Sequence, residues 1–161
     1  MKKEVTTTVP VRFADCDPLG HLNNVKYLEY MLNAREDHIQ EFFGYTYEEF
    51  AKKTGCTWVA IQNEIAYLRE VRYGTKVKVS SKTILLDERT SKVEILMKSE
   101  DEKIIHAVLW ITVIYFNLMT RKSEIISDDL RKEWGPFVVD LEEKDFQQRA
   151  NVLRFQNKNI K

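Results

Sequence analysis

From Asp15 to Asn24 the chain reads D-C-D-P-L-G-H-L-N-N, placing two carboxylates, a thiol, an imidazole and two amides in one short stretch. A carboxylate can attack an electrophilic carbon or take a proton from water, and an imidazole titrating near neutrality can pass that proton on. A long helix-forming run follows immediately. Polar groups gathered before a helix N-terminus meet free backbone N–H groups and about half a unit of positive charge, which can stabilise negative charge as it develops. The polar residues of this stretch, Asp17, His21, Asn23 and Asn24 among them, are therefore candidates for chemistry. Each also has a plainer role. Asp17-Pro18 is turn chemistry whose carboxylate can cap nearby N–H groups. His21 can be a packed loop residue, and either asparagine suits a helix cap.

The elements that must hold this stretch are legible on both sides of it. Glu4–Ala14 is rich in β-branched residues and alternates, which predicts a first strand with Val5, Val9, Val11 and Phe13 on one side and Pro10 at a sheet edge or bulge. Tyr27, Met31, Ala34, His38 and Phe42 recur at helical spacing, and Leu28, Leu32, Ile39 and Phe43 widen the stripe. Glu29, Arg35, Glu36, Gln40 and Glu41 fall mostly off it. With Gly44 as a left-handed cap, a helix over Asn24–Phe43 is predicted, about 30 Å long. Tyr45–Thr54 reads as a short helical turn ending at Gly55. Period-two patterns then predict strands over Thr57–Leu68, Lys76–Leu86, Lys92–Lys98 and Ile104–Phe116. In the first of these, Val59, Ile61, Asn63, Ile65 and Tyr67 share a face; in the second, Val77, Val79, Thr83 and Leu85 do. The polar connections 87–90 and 100–103 are short enough for hairpins. A strand, a long helix and then about four antiparallel strands is an α+β order. Beyond Leu118 the chain reads as peripheral, with a capped helix over Ser127–Trp134, a mildly helical Leu141–Val152 and a fraying Asn157–Lys161.

Composition bounds the function. The chain has 161 residues, enough for one domain with a core. Lys+Arg and Asp+Glu balance at 25 each, so no global field favours nucleic acid or an anionic membrane. The longest apolar run, Ala107–Phe116, is about half the length a membrane span requires. Cys16 and Cys56 have no paired spacing and no signal-peptide pattern is present, so a soluble, cytoplasmic protein is expected.

At D-C-D-P-L-G-H-L-N-N-x-x-Y-L-E-Y, followed by Ala34-Arg35-Glu36, the sequence resembles the hotdog-fold acyl-CoA thioesterases of the 4-hydroxybenzoyl-CoA thioesterase type. Asn63 to Arg69 and Arg72-Tyr73-Gly74 resemble that family's second stretch, with Val71 where a proline is usual. The likeness covers about residues 4–120. It implies a hotdog fold, an antiparallel sheet of about five strands wrapped around one long helix, spanning residues 1–130, with 131–161 as a C-terminal extension on the same domain. It implies hydrolysis of acyl-CoA to a carboxylic acid and coenzyme A, with Asp17 as nucleophile or general base and the start of the 24–43 helix polarising the carbonyl. It also implies a homodimer with shared active sites, and in some relatives a homotetramer. Acyl-carrier-protein thioesterase and non-catalytic acyl-CoA-binding domain are the rival readings.

The remaining candidates are weaker. Asn63 interrupts an apolar strand face and is a site residue or a satisfied buried amide. Glu64, on the opposite face, reaches a partner's site or only solvent. Arg89, Thr90 and Ser91 stand where similar proteins contact the phosphates of coenzyme A, or form a hairpin loop. Cys16 lies between acids, which disfavours a thiolate, so packing is its expected role. His38 falls on the helix stripe as a core residue, and His106 has no sequence partners. The scattered histidines and cysteines lack ligand spacing. No metal and no cofactor are expected, the coenzyme A thioester being substrate.

Overall fold

The computed structural model describes residues 1–160, so the predicted fraying of Lys161 lies outside the described residues. Its elements are β1 (Val5–Pro10), a 3-10 turn (Phe13–Asp15), α1 (Asn24–Phe43), α2 (Tyr47–Thr54), β2 (Cys56–Tyr67), β3 (Lys76–Leu86), β4 (Thr90–Ser99), β5 (Ile105–Asn117), β6 (Lys122–Ser123), α3 (Asp128–Trp134) and α4 (Phe146–Lys158). The sheet is antiparallel, in the order β1-β3-β4-β5-β2, with the short β6 paired to β5. β1 is an edge strand, the position that Pro10 tolerates.

One face of the sheet wraps α1, the hotdog arrangement expected from the resemblance. Tyr27, Tyr30, Met31 and Ala34 meet Val77, Val79, Ile95, Met97, Ala107 and Leu109 in the main core. The helix begins where the Asn23 side chain accepts the Val25 N–H and ends at Gly44, whose φ of 73° suits glycine. Its buried stripe is wider than expected and takes in Arg35, only 7% exposed. Arg35 lies four residues after Met31 and eight after Tyr27, on the same stripe; only its charge made it read as outward.

Two bulges correct the simple alternation. The β2–β5 register slips between Ala60 and Gln62, so Trp58 and Ala60 share the helix face with Asn63, Ile65 and Tyr67, while Val59 turns to the other side. The β3–β4 register slips between Thr83 and Leu85, leaving Leu85 44% exposed and bringing Leu86 to the helix side. Phe13 is also a correction, being 76% exposed because β1 stops at Pro10 and a 3-10 turn follows.

The opposite face carries α4. Ala150 and Leu153 pack with Leu96, Ile105, Val108 and Trp110. α4 starts later than predicted, at its Asp145 cap, and continues through Asn157. Asn157 does not fray: its amide accepts the Ile105 N–H at 2.9 Å and donates to the Ile105 carbonyl at 2.8 Å. A third cluster, Phe50, Cys56, Tyr115, Ile126 and Trp134, closes the end of the barrel-like wrap beside α2 and α3. α3 is capped by Ser127 as expected. No described helix is long and apolar enough to cross a membrane.

Candidate functional site

The Asp15–Asn23 loop is held at both ends. The Asn23 N–H donates to the Asp15 carbonyl at 2.9 Å, the Leu22 N–H to the Val71 carbonyl at 2.8 Å, and the Tyr73 N–H to the Gly20 carbonyl at 2.9 Å. His21 bridges to Arg72. The Val71–Gly74 turn, flagged only by resemblance, is thus the brace of this loop; Gly74 sits at φ 80° and Gly20 at φ 78°, where other residues are strained.

Within the loop the two acids have different jobs. One oxygen of Asp15 accepts the Tyr30 hydroxyl at 2.5 Å, and its other lies 3.6 Å from Lys26 Nζ. The same Tyr30 hydroxyl accepts the Arg12 N–H at 3.2 Å. Asp15 is therefore a structural clamp. Asp17 Oδ1 accepts the N–H groups of Leu19 and His21 at 2.9 and 3.0 Å, while its Oδ2 receives no hydrogen bond from the described residues. One oxygen orients the carboxylate and the other is available for chemistry. Sequence reading missed Asp15 and Tyr30, although the fifteen-residue separation gives no local signal of their pairing.

Asn23 and Asn24 form the helix start. Asn23 is the cap, accepting the Val25 N–H at 3.3 Å, and Asn24 is the first helical residue. The Tyr67 hydroxyl donates to the Asn24 carbonyl at 3.2 Å, and the Tyr27 hydroxyl accepts the Val71 N–H at 3.2 Å. The Tyr27 and Tyr67 rings meet edge-on with centroids 5.1 Å apart. The end of β2, the loop brace and the start of α1 are thus one rigid junction. It carries Asp17, His21, Asn23 and Asn24 on a single braced loop; the Val25 and Lys26 N–H groups are taken by Asn23, which leaves the Asn24 N–H at the positive end of the helix without a partner among the described residues.

The other candidates lie elsewhere. Asn63 is exposed on the helix face of edge strand β2. Glu64 is on the opposite face, across from Trp110. Arg89 donates to the Ser123 carbonyl at 3.1 Å, which ties it to the β6 hairpin. Thr90 opens β4, and Ser91 is buried, its hydroxyl donating to the Leu85 carbonyl at 3.0 Å. Burial and the flanking Asp15 and Asp17 hold the Cys16 thiol above its usual range, in keeping with a packing role. His38 is fully buried between Thr7 Oγ1 at 2.9 Å and Ser81 Oγ at 2.7 Å. Burial and the Arg35 charge push its pKa down to about 4, so it is neutral.

Under the second half of α1 the sheet and helix leave a cavity of about 400 Å³. Its wall is chiefly apolar and includes Ile39, Phe43, Trp58, Val93, Val113 and Trp134. Both bulges shape it, through Ala60 on β2 and through Thr83 and Leu86 on β3. Its size is that of a small-molecule pocket. Among the sequence-derived candidates, only Ser91 lines it.

A sheet wrapped on one helix, with a presented carboxylate before the helix start, defines a hotdog protein of the thioesterase kind. Residues 11–134 match the Thioesterase-like superfamily, and the chain belongs to that family. No curated protein matches the sequence. Among solved structures it is similar to the 12:0-ACP thioesterase from Umbellularia californica, with TM-score 0.80 and 18% identity over 92% of this chain. The chain spans 58% of that protein's length. It is also similar to the hypothetical protein SAV2348 from Staphylococcus aureus, solved in complex with CoA, with TM-score 0.76 and 15% identity over 91% of this chain and 90% of that one. The probable thioesterase YbaW from Escherichia coli gives TM-score 0.72 and 22% identity over 83% of this chain and 98% of that one.

Proposed function

We propose that this protein hydrolyses acyl-CoA thioesters. Asp17 supplies or activates the attacking oxygen, and the N-terminus of α1 polarises the thioester carbonyl. The observation that carries this reading is the asymmetry of Asp17, with Oδ1 held by two backbone donors and Oδ2 free of donors among the described residues, on the loop that leads into a capped helix start. As the tetrahedral intermediate forms, its oxygen gains charge that the Asn24 N–H at the helix start can receive, since the Val25 and Lys26 N–H groups are taken by Asn23; losing one such donor typically costs about 10²–10³ in rate. In this reading His21, on the same loop, relays the proton.

The reading includes a homodimer. β2 is an unpaired edge with Val59, Ile61 and Tyr67 exposed at 39, 56 and 41%, a surface that pairs readily with another strand. Pairing β2 with its copy about a two-fold axis sets the Cys56 end of one strand against the Tyr67 end of the other. Because Tyr67 is bonded to the start of α1, that end of a second copy brings its Asp17 loop towards the cavity wall formed by Thr57, Trp58 and Ala60. The cavity then receives the acyl group, and the site draws on both chains.

The test is a thioesterase assay over short, long and aromatic acyl-CoAs with wild type and Asp17→Asn. The variant is expected to lose nearly all turnover while its melting temperature stays within a few degrees. Near-wild-type turnover would remove Asp17 from the mechanism. Likeness to a 12:0-ACP thioesterase keeps the carrier-protein substrate in view. Presenting the same acyl group on coenzyme A and on acyl carrier protein separates the two.

A further inference from the structure

Arg35 is the feature that thioester hydrolysis leaves unused. Its side chain comes from the middle of α1, is 7% exposed, and lines the apolar cavity. One of its N–H groups donates to Ser81 Oγ at 3.1 Å, and Tyr47 stands beside it. No carboxylate among the described residues pairs with it. A buried guanidinium ordinarily has an acid partner, because taking the charge out of water is costly without one. Arg35 has instead a hydroxyl, a phenol and the cavity. Its planar fork carries five donors and fits a carboxylate with two parallel bonds. Glu36 also reaches the cavity wall, but it is exposed, so solvent screens its repulsion of an anion.

We infer that the cavity takes an acyl group bearing a carboxylate at its far end, which Arg35 binds while the thioester lies at the Asp17 loop of the paired copy. This rests on the proposed thioesterase reading and names its substrate class as ω-carboxyacyl thioesters. At the volume of one liquid water per heavy atom, about 30 Å³, a cavity of about 400 Å³ has room for roughly a dozen heavy atoms. An eight-carbon dicarboxylic half-thioester fits that count. The methyl-terminated analogue of the same length fills the same apolar walls but leaves the guanidinium facing hydrocarbon, which is the kind of mismatch that binding sites reject strongly.

The experiment compares suberyl-CoA with octanoyl-CoA as substrates, and free suberate with octanoate by calorimetry. Wild type is expected to favour suberyl-CoA in kcat/KM by about 10- to 100-fold, the range of one charge-assisted hydrogen-bonded contact, and to bind suberate more tightly than octanoate. Arg35→Met should collapse the ratio to near one or invert it. Arg35→Lys should keep a reduced preference, because a point charge replaces a bidentate fork. If Arg35→Met does not fold, the wild-type substrate and acid comparisons still decide the matter. Hydrolysis of both thioesters at equal efficiency, or a preference that survives Arg35→Met, would overturn the inference and leave the thioesterase reading intact. Tighter binding of suberate without turnover of any thioester would do the reverse.

Discussion

Glu94 and Arg149 form a two-pronged ion pair across the outer face of the sheet, with Nε and an Nη of Arg149 each 2.8 Å from a Glu94 oxygen. Glu94 is fully buried on β4, and Arg149 belongs to α4, so the pair ties the last helix to the sheet. Trp110 Nε1 donates to Glu94 at 2.8 Å and Lys82 Nζ lies 3.4 Å away. Removing Arg149 leaves a buried carboxylate with weaker company. Arg149→Met is expected to cost about 3 kcal/mol in urea unfolding, at the low end for a broken buried pair because Lys82 and Trp110 remain. Glu94→Met with Arg149→Met should recover most of that loss. A double variant no more stable than the single one would show that the loss comes from Arg149's own contacts, Glu143 included, and not from the orphaned carboxylate.

The same carboxylate makes stability depend on pH. Burial raises its pKa, but the bonds from Arg149 and Trp110 and the charges of Arg149 and Lys82 outweigh this and lower it below the usual range. A depressed folded pKa means the unfolded chain binds the proton first. Its contribution is therefore full above about pH 4.5 and is lost as pH falls further. Wild type should lose stability steeply below that pH, and Glu94→Gln should flatten the slope there.

His38 acts over a higher window. Its folded pKa of about 4 lies below the unfolded value of about 6.5, so its contribution is complete above pH 6.5 and is lost on descending towards 4. The loss should amount to roughly 2–3 kcal/mol across that window. Unfolding of His38→Gln, whose amide can still bond Thr7 and Ser81, should show a clearly shallower slope between pH 6.5 and 4.5, the remainder coming from His106, whose pKa burial also lowers. An unchanged slope would mean that another group titrates.

Tyr30 positions the Asp15–Asn23 loop without belonging to it. Tyr30→Phe removes one hydroxyl that joins Asp15 to the Arg12 backbone. Hydrolysis should fall by about 10-fold, mainly in kcat, as a bond to a charged group worth roughly 1.5–3 kcal/mol is lost from the loop. A change confined to KM would instead place Tyr30 against the substrate.

The β2 edge decides whether the site is shared. Ile61→Lys puts a charge on the exposed edge beside the bulge, and sedimentation should show a monomer with turnover lost in parallel. A variant that stays dimeric and active would move the interface to another surface.

Much of this molecule is written locally. The bounds of α1 follow from an asparagine cap, a helical apolar stripe and a glycine stop, all close in sequence. β3 is likewise bounded by its own alternation, and Asp17 is singled out by the resemblance of its stretch to the family's signature. What sequence alone could not decide depends on contacts distant along the chain. The bulges in β2 and β3 reverse the facing of Val59 and Leu85, because a slip in register is set by the neighbouring strand and not by the strand that carries it. Asn157 is anchored by a backbone fifty-two residues away, where composition alone reads as a fraying end. Asp15 and Asp17 are equivalent as residue types, and only Tyr30 and Lys26 assign one to structure and leave the other open. Arg35 carries the same lesson: its stripe position was visible, but burial without an acid partner arises only when α1 is laid against Ser81 and the cavity wall.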